Sequence, residues 1–306
     1  MSMKNPALKT LTATGVLFLA SVAAASAADL SLAPRMPMKA APMMPMSANP
    51  ILYVNNQISL DAIGQNIDYL ETDRNSVRLD SEKGWQPGLQ ITGSAMGSLG
   101  ALTNVYIMGQ FSWARSNTQY VGAYQGGTYG DLVQTNGAET KDFDFRLGKG
   151  FDVAPNWMFT PFFAAGYHVW DRNITGGGGY HEQYEHSYAG GGLMIQWAAT
   201  NQLVFTGTGM VGSTFSPQMT SSLNGGFPIT PYTYDLGSKL MWKAGLAADY
   251  ALTQQWHLNA GFDYTHFNYA ISNVQPDGSL EPDSRSGIWT VKAGFGYSFY
   301  QPTSRF

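Results

Sequence analysis

The last third of the chain alternates with period two. Trp289, Val291, Ala293, Phe295, Tyr297 and Phe299 share one face of an extended backbone, and Thr290, Lys292, Gly294, Gly296 and Ser298 share the other. Trp256, Leu258, Ala260, Phe262 and Tyr264 stand in the same way against His257, Asn259, Gly261, Asp263 and Thr265. Leu240, Trp242, Ala244, Leu246, Ala248 and Tyr250 stand against Met241, Lys243, Gly245, Ala247 and Asp249. Successive side chains of a strand point to opposite faces, so each run predicts a strand with one apolar face and one polar or small face. This confines the chain to sheet architectures. A water-soluble sandwich and a lipid-facing barrel both satisfy it.

Two details separate those architectures. Aromatic residues bracket the apolar faces about ten positions apart: Trp242 to Tyr250, Trp256 to Tyr264, Trp289 to Phe299, Phe143 to Phe151 and Trp157 to Tyr167. About ten residues at 3.3 Å, tilted by about 40°, rise roughly 25 Å, the height of a lipid-facing band between aromatic girdles. Trp113, Trp157, Trp197, Trp242, Tyr250, Trp256, Tyr264, Trp289 and Phe299 are the expected girdle residues. The connectors also alternate. Short ones fall near 98–101, 152–156, 198–201 and 251–254, and long polar or Gly-rich ones near 116–139, 171–183, 214–235 and 271–286. That asymmetry matches periplasmic turns and extracellular loops.

Composition agrees. Charged residues are 12% of the chain, about half the usual share for a soluble domain. Aromatics reach 13%, and 35 glycines are present. A mean hydropathy of −0.17 excludes a bundle of long apolar helices. The low charge argues against disorder and against a nucleic-acid partner, which calls for a Lys/Arg excess. With no cysteine, disulfides and thiolate metal sites are excluded.

Residues 1–27 read as a secretory signal peptide of the Sec type. Lys4 and Lys9 form the basic end, the run from Gly15 to Ala25 the apolar segment, and Ala25-Ser26-Ala27 the cleavage site. Cleavage leaves 15 basic residues against 21 acidic ones, a net charge of −6. Residues 28–50 interleave Pro34, Pro37, Pro42, Pro45 and Pro50 with Met36, Met38, Met43, Met44 and Met46, which predicts an extended periplasmic linker. Closely spaced thioethers are also Cu(I) ligands, but neither His nor Cys accompanies them, so a spacer is the expectation.

Residues 51–306 then predict a closed antiparallel up-and-down β-barrel. Ten strands are expected, at about 55–70, 84–97, 102–115, 139–151, 156–170, 184–198, 202–214, 236–251, 254–269 and 286–300. Eight is the alternative, because the first run is weakly patterned and a helical piece around 50–65 would shorten the count. An even number puts both termini on the periplasmic side. The signal, the Ala28-Asp29-Leu30 start, the Pro-rich spacer, Gly84-Trp85-Gln86-Pro87-Gly88 and the closing Ala293-Gly294-Phe295-Gly296-Tyr297-Ser298-Phe299 resemble small alphaproteobacterial outer-membrane barrel proteins. That resemblance implies a Gram-negative outer membrane, lipid around the barrel, and an assembly machinery that reads a terminal phenylalanine, either Phe299 or Phe306.

Ten strands enclose a radius of roughly 10 Å, which inward side chains largely fill. A plugged or narrow lumen is therefore expected, in a porin-like or structural role with small solutes as candidate passengers. Pairing Tyr250 with Trp256 and Trp256 with Phe299 predicts a lumenal ladder Lys243–Asp263–Lys292. Asp142, Asp144 and Arg146 form a second inward group. These charges either neutralise one another in a packed interior or form a selectivity ring.

Enzyme readings find less support. Omptin surface proteases, also ten-stranded, are said to use an Asp pair and an Asp-His pair at the extracellular rim. Here His168 and Asp171 differ in parity, as do Asp263 and His266, so neither pair shares a face. Within 176–186, His181, Glu182, Glu185 and His186 offer metal-ligating types without a fixing spacing, and a solvated rim is the expectation. No phosphate loop, nucleophile elbow or metalloprotease helix is present. The reading is a non-enzymatic barrel without cofactor or metal, against a surface protease or loop-mediated adhesin.

Overall fold

The structure is a computed structural model and describes residues 49–124, 127–174, 180–223 and 232–301. A short helix α1 (Pro50–Val54) precedes twelve strand segments. They are β1 (Gln57–Thr72), β2 (Arg78–Leu99), β3 (Leu102–Gly122), β4 (Leu132–Lys149), β5 (Phe151–Ala154), β6 (Trp157–Asn173), β7 (Tyr180–Ala198), β8 (Leu203–Leu223), β9 (Tyr232–Asp235), β10 (Leu240–Ala251), β11 (Trp256–Tyr269) and β12 (Asp283–Ser298). β5 carries β4 past Gly150 along the edge of β6, and β9 precedes β10 along β8. The twelve segments therefore make ten staves. Every neighbouring pair is antiparallel, and β12 pairs with β1 to close the cylinder. Closure gives each of the ten staves a hydrogen-bonded neighbour on both sides.

The apolar and polar faces separate as the alternation requires. Leu60, Ile91, Phe111, Phe143, Phe163, Leu193, Phe205, Leu246, Phe262 and Phe295 are exposed on the outside. The core is the barrel interior, where Tyr106, Met108, Met194 and Met210 lie with Gln86, Gln90, Thr160 and Gln196. Trp113, Trp242 and Trp289 face outward toward the long-loop end, and Trp157, Trp197, Tyr250, Trp256 and Phe299 toward the short-turn end. Tyr264 is half-buried between the rings of Trp242 and Trp289, at 5.0 and 4.1 Å between centroids.

The structure changes several expected boundaries. β3 runs to Gly122 and β4 begins at Leu132, so most of the expected loop at 116–139 is sheet. β2, β7 and β8 are extended in the same direction. Beyond the girdle the outer face becomes polar, with Lys83 pairing with Asp68 at 2.8 Å and Lys141 with Glu139 at 2.5 Å. The sheet continues there while its apolar signature stops. Pro50 belongs to α1 rather than to an extended linker. Asn49 caps the helix by accepting from the Ile51 amide, and proline takes the first turn, where no amide is needed. The helix precedes β1 without reducing the number of staves. The signal peptide, all of the linker before Asn49, and Phe306 lie outside the described residues.

Register is the other correction. Tyr250 opposes Leu258, not Trp256, and Trp256 opposes Tyr297, not Phe299. Thr253 Oγ1 accepts from the Gln255 and Trp256 amides and so centres the turn one residue later than expected. As a result Lys243 opposes Thr265, and Asp263 opposes Gly245.

Candidate functional site

The lumen is built in layers. At the short-turn end α1 enters the barrel and buries Ile51 and Tyr53. Asn55 holds it there by exchanging hydrogen bonds with Gln196 at 2.8 and 2.9 Å. The Asn56 side chain donates to the Met96 carbonyl and accepts from the Met96 amide. Ser298 donates to the Tyr53 carbonyl at 2.9 Å.

Above the helix lies a cavity of about 220 Å³ lined by Asp61, Tyr106, Met108, Asp144, Met210, Lys243, Asn259 and Lys292, among others. All six of the expected lumenal charges line it. Lys292 meets Asp263 at 2.6 Å. Lys243 does not join them. It turns to Asp144 at 3.0 Å and to the Tyr188 hydroxyl at 2.6 Å. Asp144 also accepts from Arg146 at 2.9 Å, while Asp142 meets His168 at 2.7 Å. The expected three-residue ladder is therefore an Asp263–Lys292 pair and a separate knot, Lys243–Asp144–Arg146.

A layer of rings lies farther toward the long-loop end. His168, His186 and Phe267 sit 4.7–5.1 Å apart between centroids. Tyr269, Tyr184, Trp170 and Tyr69 continue the stack toward the long-loop end.

The top layer was not anticipated from the sequence. Arg172, 1% exposed, is held by Glu182, by Glu71 at 3.4 Å, and by Asp80 and Glu82 at 3.6 Å. Its guanidinium lies over the rings of Tyr69, Trp170, Tyr184 and Tyr120. Glu281 comes in from the β11–β12 loop and accepts from the Tyr184 hydroxyl at 2.5 Å. This layer stands above the girdle tryptophans. Five carboxylates around one cation cannot all ionise cheaply. Burial, then the charges of Glu71 and Glu182, push Glu281 well above the ordinary carboxylate range. Burial and Glu71 do the same to Asp80. The signal available in the sequence was parity: Glu71, Asp80, Glu82, Arg172 and Glu182 all continue the inward face beyond the apolar runs.

The remaining candidates scatter. Asp171 points outward to Lys141 at 3.5 Å, away from buried His168. His266 packs outside on Trp242, whereas Asp263 is inside. Glu182 and His186 face the lumen, while His181 meets Asp171 at 3.5 Å and Glu185 accepts from Tyr167. The rest of that segment, 176–179, lies outside the described residues. Among the described residues no group of three or more His, Asp or Glu is arranged to hold a metal.

No family model and no curated protein matches the chain. Solved structures do. The outer membrane protease OmpT from Escherichia coli superposes with a TM-score of 0.52 at 9% identity, covering 79% of this chain and 95% of that one. The P. putida toluene transporter TodX gives 0.34 at 11% identity, covering 84% and 94%. The translocator domain of autotransporter NalP from Neisseria meningitidis gives 0.35 at 13%, covering 79% and 88%. The likeness to OmpT is one of fold: this chain is a closed ten-stranded antiparallel β-barrel of the outer-membrane type.

Proposed function

We propose that the chain is an integral outer-membrane barrel of a Gram-negative bacterium, closed at rest and without catalytic activity. It serves the envelope as a structural element or as a narrow conduit that opens only when an end plug moves. The observation that carries this reading is that buried side chains occupy both ends of the lumen, those of α1 at one end and the Arg172 layer at the other. The belt of exposed Leu, Ile, Phe and Val between aromatic girdles supports a lipid surrounding, because contiguous apolar surface of that extent is unfavourable in water. Export by the Sec route is the reading of the N-terminal pattern, and lipid and assembly-machinery partners and an alphaproteobacterial source are what the sequence resemblance implies.

OmpT is a protease, but two of the three acid–histidine pairs among the described residues are shut inside the barrel, and the third, His181 with Asp171, lies on the outer face with its carboxylate shared with Lys141. His168 with Asp142 and His257 with Asp249 are inside the barrel, with the histidines 3% and 1% exposed. Planar-bilayer recording on the folded, heat-modifiable protein tests the reading. The intact barrel is expected to be silent or to open rarely, while Arg172→Ala and removal of residues 49–55 each raise the open probability. Steady conductance of the intact protein would overturn closure, and turnover of a peptide panel would overturn the non-enzymatic role.

A further inference from the structure

Five aspartates line the cavity, and four have a cationic or imidazole partner. Asp142 faces His168, Asp144 faces Arg146 and Lys243, Asp249 faces His257, and Asp263 faces Lys292. Asp61 differs. It is 3% exposed, its Oδ2 accepts only from the Ser59 hydroxyl at 3.3 Å, and its Oδ1 accepts from nothing. An ionised carboxylate taken out of water needs a partner, and among the described residues no cation is ion-paired with this one.

The surroundings of Asp61 supply matching oxygens. Asp61, Gly294, Asn259 and Asp249 occupy consecutive positions of one row across β1, β12, β11 and β10. Gly294 has no side chain to intrude, since a Cβ there would stand 2.5 Å from Asp61 Oδ1. Gln57 leans over Gly296 and donates to Asp249 at 3.2 Å, which turns its carbonyl oxygen away from that bond. Gln57 Oε1 and Asn259 Oδ1 are, like Asp61 Oδ1, buried acceptors without a donor. All three residues line the cavity.

We propose that Asp61, Gln57 and Asn259 form a binding site for a small monovalent cation, an alkali ion or a primary ammonium group. Oxygen-only donors select a hard cation or an N–H donor over a soft metal. A single uncompensated carboxylate selects one positive charge over two, because divalent sites of this kind gather several carboxylates. Lys292 makes its direct contact with Asp263 and acts on Asp61 only at longer range, which leaves the contact position to a diffusible ion.

The test is urea unfolding of the full mature barrel in zwitterionic micelles. The salts are the chlorides of sodium, potassium and methylammonium, with tetraethylammonium chloride at equal ionic strength as the bulky control lacking N–H groups. The midpoint is expected to rise in at least one of the three small-cation salts, by about 0.5 M urea for each tenfold increase above half-saturation. Response to methylammonium alone assigns the ammonium source, and response to sodium or potassium the alkali source. Asp61→Asn and Asn259→Leu should each flatten the dependence, with Asp61→Asn at least as stable as the parent in tetraethylammonium. Equal midpoints in all four salts would overturn the site, as would a rise that survives both substitutions. If Asp61→Asn does not fold, Asn259→Leu alone decides between these outcomes.

Discussion

Lys243 on β10 donates to Asp144 on β4 at 3.0 Å, although β6, β7 and β8 lie between them on the barrel wall. Tyr188 on β7 bridges the gap, donating to Asp144 at 2.6 Å and accepting from Lys243 at 2.6 Å. Arg146 makes the second cation on Asp144, so the knot has one anion shared by two cations. The two partners are therefore unequal. Asp144→Asn leaves two cations facing each other in a buried place and should cost about 3–5 kcal/mol. Lys243→Met leaves Asp144 compensated by Arg146 and should cost only about 1–2 kcal/mol. Urea midpoints of the two variants check the order, and a larger loss from Lys243→Met would refute it.

The Tyr188 bridge depends on a missing side chain. Asp144, Gly166 and Tyr188 occupy one row across β4, β6 and β7, and the Tyr188 ring lies over Gly166. A Cβ on Gly166 would stand 2.3 Å from both the Tyr188 hydroxyl and the Phe143 carbonyl oxygen. Gly166→Ala should therefore displace Tyr188 and cost about 1–3 kcal/mol, as overpacking does. Gly191→Ala is the control, since nothing lies within 4 Å of that position. Equal unfolding midpoints for the two alanine variants would count against the bridge.

The Arg172 layer should respond to pH with a defined sign. Glu281 has its folded value raised above the ordinary 4.5, chiefly by burial and then by Glu71 and Glu182. A carboxyl that holds its proton more tightly when folded stabilises the fold most below its unfolded value. That contribution declines as pH climbs from about 4.5 through the raised value. Glu281 ties the β11–β12 loop to this layer, and once ionised it is repelled by Glu71 and Glu182, so the loop should loosen as pH rises. Hydrogen exchange of residues 270–282 between pH 4 and 9, corrected for the intrinsic rate, should show falling protection. Glu281→Gln, a permanent mimic of the protonated acid, should remove the trend. A parent protein whose protection is flat or rises with pH would exclude this mechanism.

The stave count and the lining of the lumen were legible because both rest on parity. Lys243, Asp263, Lys292, Asp142, Asp144 and Arg146 all sit on the side that alternation assigned them. Partner choice was not legible. A turn displaced by one residue at Thr253 moves every β10–β11 pairing by two, and side-chain reach then brings Lys292 to Asp263 but Lys243 to Asp144. The Arg172 layer was hidden for a different reason. Past the girdle both faces of β2, β6 and β7 are polar, so hydropathy alternation ends while the backbone ladder continues. The Asn49–Pro50 pair did carry a helix-start signal, but five residues are too few to show a helical period.

Leu246 tests what surrounds the barrel. It is 69% exposed on β10, opposite Phe262 on β11 and midway between the Trp242 and Tyr250 girdle positions. If lipid covers this face, a charge there is placed near the bilayer midplane, and Leu246→Arg should cost about 2–4 kcal/mol when unfolding is measured in vesicles. Near the interface the cost falls to about 0–1 kcal/mol, so Tyr250→Arg should be milder. In water the same exposed leucine would be a liability and arginine a neutral or favourable replacement. The sign of the Leu246→Arg effect, with the depth dependence given by Tyr250→Arg, thus separates a membrane barrel from a soluble one. A neutral Leu246→Arg in vesicles would remove the lipid belt on which the proposed location depends.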